Sequence, residues 1–147
     1  MASYKYLYIN NDSGLYKEVV ELRYRIFFKP FNCSMDMVFD NLEGESIHLV
    51  CCHNNIVAAG YARLNIIDKT AQISQVVVKE EYRKKGIGSE LIRELTDKSR
   101  ESGMKKIILN AKIEIVNLYR SLGYETVGQE FPSIKTGLSH IRMEKII

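Results

Sequence analysis

No apolar run in this 147-residue sequence approaches the ~20 residues that a membrane-spanning helix needs, which argues against a helical anchor. The opening stretch MASYKYLYIN also lacks the apolar core of a secretory signal, so the expected location is cytoplasmic. Charge of one sign is scarce. The net charge is +3 and only Arg83-Lys84-Lys85 is locally dense, whereas a nucleic-acid reader presents a broad basic face. Cysteine is scarce as well: Cys33, Cys51 and Cys52 are odd in number and have no metal-ligand spacing. Adjacent strand residues point to opposite faces, so Cys51 and Cys52 are read as separate, reduced structural thiols. Repeats, linkers and low-complexity segments are missing too, which leaves residues 1–147 as one expected domain, large enough to bury a full core.

What is present alternates between two periods. Tyr4 to Ile9 reads as a strand closed by the turn formers Asn10 to Gly14. Leu15, Val19, Leu22 and Ile26 then recur at helical spacing until Pro30. Residues 31–45 show no clean period and are expected to be irregular or briefly helical, the kind of segment that lines a substrate entrance. Three strands follow, Ser46 to Cys52, Ile56 to Ile67 and Ala71 to Lys79, joined by hairpin signals at His53-Asn54-Asn55 and Asp68-Lys69. A helix over Ile87, Leu91, Ile92, Leu95 and Ser99 stops at Gly103. Next come a strand at Lys106 to Ala111, a short helix at Ile115 to Leu122 closed by Gly123, and strands at Tyr124 to Phe131 and Leu138 to Ile146. The sum is an α/β (α+β) domain with a largely antiparallel sheet flanked by helices, since three hairpin-linked strands do not open a doubly wound fold.

The chain is organised around QISQVVVKEEYRKKGIGS, residues 72–89: a β-branched strand, a basic turn with two glycines, and a helix start. The first amides of a helix have no intrahelical acceptor and sit at the positive end of its dipole, so a phosphate group fits there. A glycine turn alone is weak evidence for such a site.

VVVKEEYRKKGIGSELI resembles motif A of the GNAT N-acetyltransferase superfamily, with Arg83-x-x-Gly86-x-Gly88 after the strand. Asn117-Leu118-Tyr119-Arg120-Ser121-Leu122-Gly123-Tyr124 resembles the second signature of that family, and the strand and helix order matches over nearly the whole chain. Asp40 and Glu43 before Ser46-x-His48, together with Gly137 to Met143, resemble a set of small bacterial acetyltransferases.

The resemblance implies acetyl-CoA as cosubstrate. The backbone of Arg83, Lys84, Lys85, Gly86, Ile87, Gly88 and Ser89 would hold the pyrophosphate, and the peptide groups of Val76, Val77 and Val78 would pair with pantetheine like an added strand. Asn110, Lys112 and Asn117 are the implied contacts from the far side, with Lys112 where the family often has Asn. Lys84 stands where glycine is usual. Tyr119 occupies the general-acid position. The acceptor amine must lose a proton, because an amine of pKa about 10.4 is only about one part in 2,500 neutral at pH 7. The family's frequent carboxylate position holds Gln72, an amide that cannot act as a base, so the base is unassigned: either Asp40, Glu43, His48 or His140 serves through water, or the substrate arrives as a less basic amine.

Each of these residues also has a plainer reading: turn glycines, a packed tyrosine, structural histidines, and a solvated acidic loop instead of an amine-attracting rim. The expected activity is transfer of acetyl from acetyl-CoA to a primary amine of a small molecule, by direct attack in a ternary complex. The alternatives are acetylation of protein N-termini or lysines and a non-catalytic CoA sensor. Neither a nucleic acid nor a membrane is an expected partner, and a homodimer is left open.

Overall fold

The computed structural model describes residues 3–54 and 57–147. Among these residues seven strands form one sheet in the order β1-β2-β3-β4-β5-β7-β6. They are β1 (Tyr4–Ile9), β2 (Ile47–His53), β3 (Val57–Ile67), β4 (Thr70–Val78), β5 (Lys106–Lys112), β6 (Glu125–Pro132) and β7 (Ser139–Ile146). Every adjacent pair is antiparallel except β4 and β5. The expected mixed, mostly antiparallel architecture is therefore present. Of the first hairpin signal, Asn55 lies outside the described residues, as does Ile56 at the expected start of the next strand.

Among the described residues three α-helices flank the sheet: α1 (Gly14–Phe27), α2 (Ile87–Glu101) and α3 (Val116–Ser121). None of the helices among the described residues is long and apolar enough to cross a membrane. α1 ends before Pro30, and the aperiodic segment after it contains three 3₁₀ turns, Lys29–Phe31, Met35–Val38 and Glu43–Glu45. The amphipathic pattern of α2 buries Ile87, Leu91, Ile92 and Leu95 against one face of the sheet, each contributing about 1.5–3 kcal/mol over exposure. α1 covers the other face, where Val19 and Leu22 meet Val50, Cys52, Tyr61 and Val77. Cys51 belongs to the α2 side and Cys52 to the α1 side, so the two thiols face apart, as strand alternation requires.

Two irregularities of β4 shape everything near the site. Between the pairs Arg63↔Ser74 and Tyr61↔Val77, β3 spends one residue and β4 spends two, so β4 carries a bulge, with Gln75 at φ 53°. The extra residue switches the alternation: Ala71 and Ile73 face the α2 core before it, Val76 and Val78 after it. The second irregularity is on the other edge. β4 pairs with β5 only at Ala71↔Ile107 and Gln72↔Ile108, while β5 continues along β7 to Lys112↔His140. Beyond Gln72 the sheet forks.

Candidate active site

Backbone polar groups along a strand edge need partners, and at the fork two edges face each other with none from the sheet. Between them lies a cleft of 220 Å³ bordered by Ile73, Ser74, Gln75 and Val76 on the β4 side and by Leu109, Asn110 and Lys112 on the β5 side. Phe27, Ile115, Tyr119 and His140 complete its lining. The cleft adjoins a second cavity of 150 Å³ that shares Phe27, Gln75, Lys112 and His140 with it.

At the far end of β4 the chain turns into α2. Lys84 (φ 63°) and Gly86 (φ 81°) both adopt left-handed conformations there, and Gly86 is the N-cap residue. The contrast with α1 is informative. Ser13 caps α1, its Oγ accepting from the Leu15 amide at 3.2 Å, whereas no side chain caps α2. The first amides of α2 are therefore open to an anion, with Arg83, Lys84 and Lys85 exposed around them. The Ile87 side chain is buried, so only its backbone can serve there. Arg83 turns back and donates from Nε to the Val78 carbonyl at 3.0 Å, occupying one of the strand-edge acceptors expected to be free for pantetheine. A lysine at the left-handed Lys84 position carries a strain that glycine would not, so this departure from the family pattern has a backbone cost as well.

Tyr119 is 6% exposed at the cleft, on α3, with its ring edge-on to Tyr124. Burial pushes its hydroxyl up to about 12, above the value near 10 assumed from the reference state. Asn110 and Lys112 border the same cleft. Asn117 does not: it lies in a separate depression with Val116 and Arg120, and Arg120 donates to its side-chain oxygen at 3.3 Å.

The candidate bases separate clearly. Glu43 is no solvated loop residue. It accepts from Arg23 at 2.7 and 2.8 Å, from Arg63 at 3.0 Å and from Tyr16 at 2.7 Å. Burial alone would raise its carboxyl, but these donors outweigh it and hold it at about 2. Asp40 is gripped by both terminal nitrogens of Arg63 at 2.8 Å, and the guanidinium overcomes burial to lower it too. His48 is buried under α1 against Tyr61, Tyr16 and Glu43, and burial lowers its affinity for a proton. His140 alone of the four borders the cleft. Its Nδ1 lies 2.8 Å from the Leu138 carbonyl. A carbonyl can only accept, so Nδ1 carries the proton and Nε2 keeps its lone pair in the neutral ring. Phe131 stacks on the ring at 6.2 Å.

A group not singled out by sequence supports the site from behind. Arg23, on the buried side of α1, is 0% exposed; its Nε donates to Gln75 Oε1 at 2.6 Å, while Arg63 Nε donates to Ser74 Oγ at 3.0 Å. The bulge is thus fixed by the same two arginines that hold Glu43. Arg23 lies one position past Leu22 in a helical apolar pattern, but no local spacing pairs it with partners 20 and 52 residues away.

Comparison with known proteins agrees with this geometry. A family model described as an acetyltransferase (GNAT) domain matches residues 25–147. A Bacillus subtilis (strain 168) protein, itself only provisionally assigned as an acetyltransferase, is 29% identical over 128 residues, covering 85% of each chain. Among solved structures, Escherichia coli ElaA superposes with a TM-score of 0.80 at 22% identity, covering 99% of both chains. An aminoglycoside 6'-N-acetyltransferase complexed with coenzyme A superposes at 0.78 with 16% identity, covering 97% of this chain and 96% of the other.

Proposed function

The chain belongs to the GNAT acetyltransferase family, and from that premise we propose that it transfers acetyl from acetyl-CoA to a primary amine of a small molecule within a ternary complex. The observation that carries this reading is the fork: β4 and β5 part after Gln72↔Ile108 and leave two edges that an extended pantetheine chain can join by backbone hydrogen bonds. That open edge runs toward the uncapped start of α2, where a pyrophosphate would meet free amides and the Arg83 to Lys85 charges. Coenzyme A in the aminoglycoside acetyltransferase of the same fold supports this assignment of ligand.

The chemistry follows from the two ionisable groups that border the cleft besides Lys112. The amine nitrogen attacks the thioester carbon, a C–N bond forms and the C–S bond breaks. The proton lost by nitrogen goes to Nε2 of His140, which is presented as a lone pair by the Nδ1 hydrogen bond. The departing sulfur takes a proton from Tyr119, and water returns the proton balance between the two residues. With its hydroxyl at about 12, Tyr119 is fully protonated at neutral pH and donates well only to a base that has itself been desolvated. A thiolate inside the same cleft meets that condition, just as burial raises the thiols of Cys51 and Cys52. Aspartate and glutamate take no part, since Asp40 and Glu43 are committed to arginines.

The test is incubation of the protein with acetyl-CoA and a panel of amines while free thiol is followed. Amine-dependent thiol release, with the acetylated amine found by mass spectrometry, is the expected result. If no amine raises thiol release while coenzyme A still shifts the melting temperature, the transfer reading fails and a CoA-binding module takes its place.

A further inference from the structure

The cavity of 150 Å³ that opens beside the cleft has a lopsided chemistry. One wall is aromatic, Phe27, Phe28 and Phe31, and its charged lining is cationic only, Lys112 and Lys135. No carboxylate borders it or the adjoining cleft among the described residues. Asp40 and Glu43, the acids of the 3₁₀ segment, are paired with Arg63 and Arg23. The Lys112 ammonium rests over the Phe27 ring at 5.6 Å and Lys135 over Phe28 at 5.0 Å, with Lys135 also donating to the Met37 carbonyl at 3.0 Å. Neither forms an ion pair among the described residues.

We propose that the acceptor is an amine that also bears a carboxylate, an amino acid or amino-acid-like molecule with an apolar body. This deepens the transfer reading above and rests on it for the word acceptor. A simple alkylammonium would enter against two like charges with no carboxylate on the lining to meet it, whereas a carboxylate would pair with the lysines and the phenylalanine wall would take the apolar part. The same lysines help the chemistry. Positive charge near an ammonium favours its neutral form, so the acceptor nitrogen gives up its proton more readily beside Lys112, and a weaker base suffices where the family often has a carboxylate and this chain has Gln72. Lysine suits this role because its compact charge sits on a flexible stem and can follow carboxylates at different distances from the amine.

The test uses matched ligands: phenylalanine, phenylalaninamide and phenethylamine, with leucine and leucinamide beside them. Each is measured for thiol release with acetyl-CoA and, separately, for calorimetric binding to protein saturated with coenzyme A, on wild type and Lys135→Met. The expected result is preference for the carboxylates over their amides by about tenfold or more, lost in Lys135→Met while the melting shift induced by coenzyme A is kept. Faster thiol release from the amides or from phenethylamine overturns the proposal and leaves the transfer reading standing. Selective, Lys135-dependent binding of carboxylates without thiol release from any amine supports the ligand class and defeats the transfer reading. Neither reaction nor selective binding by the carboxylates overturns the proposal as well.

Discussion

In the proposed mechanism Tyr119 and His140 divide the proton traffic, and they should fail differently when changed. Tyr119→Phe removes one oxygen from a buried, well-packed ring and leaves the cleft otherwise filled, so turnover should fall by about 10²–10⁴-fold with coenzyme A affinity kept. Steady-state kinetics beside a coenzyme A titration separates the two effects, and an unchanged rate removes Tyr119 from the proton path. His140→Gln keeps a polar group against Leu138 but cannot take a proton, so kcat/KM should fall by about 10²-fold or more while coenzyme A affinity is kept. At Lys84 the prediction concerns stability. With φ at 63° a side chain costs about 1–2 kcal/mol there, and glycine returns about 0.5–1 of that to the unfolded chain, so Lys84→Gly should be more stable by about 0.5–1 kcal/mol. Lys84→Ala has the same Cβ and should show no such gain in a urea titration.

The elements that build the site depend on contacts that single residues set. α2 reaches the sheet at Gly60 on β3, where an added Cβ would lie 3.0 Å from the Ile87 side chain, 3.2 Å from the Val77 carbonyl and 3.3 Å from Leu91. Gly60→Ala should therefore push the start of α2 off the sheet, costing about 1–3 kcal/mol and weakening coenzyme A binding through the displaced amides, as thermal unfolding with and without coenzyme A would report. Periodicity makes these elements readable in the sequence: the 3.6-residue pattern of α2, the β-branched run of β4 and the glycines closing α2 and α3 lie at the observed positions. The bulge does not announce itself, because Gln75 is an ordinary residue that β4 holds at positive φ through side chains from α1 and β3. Nor does the fork, which depends on where β5 stops pairing with β4. The acidic segment misleads for the same reason, since Asp40 and Glu43 look solvated until Arg63 and Arg23 are brought to them across 23 and 20 residues of chain.

Over the whole molecule, that arginine–carboxylate cluster ties α1, the 3₁₀ segment, β3 and the bulge of β4 into one unit, with Arg23 also 4.8 Å above the Tyr61 ring. Its titration contributes to the response of the fold to acid. Glu43 is held at about 2 in the folded protein against an ordinary 4.5, so below 4.5 the unfolded chain binds the proton first. Its stabilising share is thus fully present above 4.5 and is lost as the pH falls toward about 2. His48 acts in the same direction from higher pH: burial lowers it from 6.5, so protonation of the unfolded chain draws the equilibrium away from the fold as the pH drops through that value. Glu43→Gln should be clearly less stable than wild type near neutral pH, since it strands Arg23 with a weaker partner at a cost of about 3–5 kcal/mol, and should approach wild type in acid. Urea midpoints across the acid range check this, and parallel acid limbs for the two proteins would remove Glu43 as the controlling group. Arg23→Met adds the functional link. Arg23 lines neither cavity itself but donates to Gln75, which lines both, so by releasing Gln75 the substitution should lower turnover together with stability, tying the geometry of the bulge to the cluster behind it.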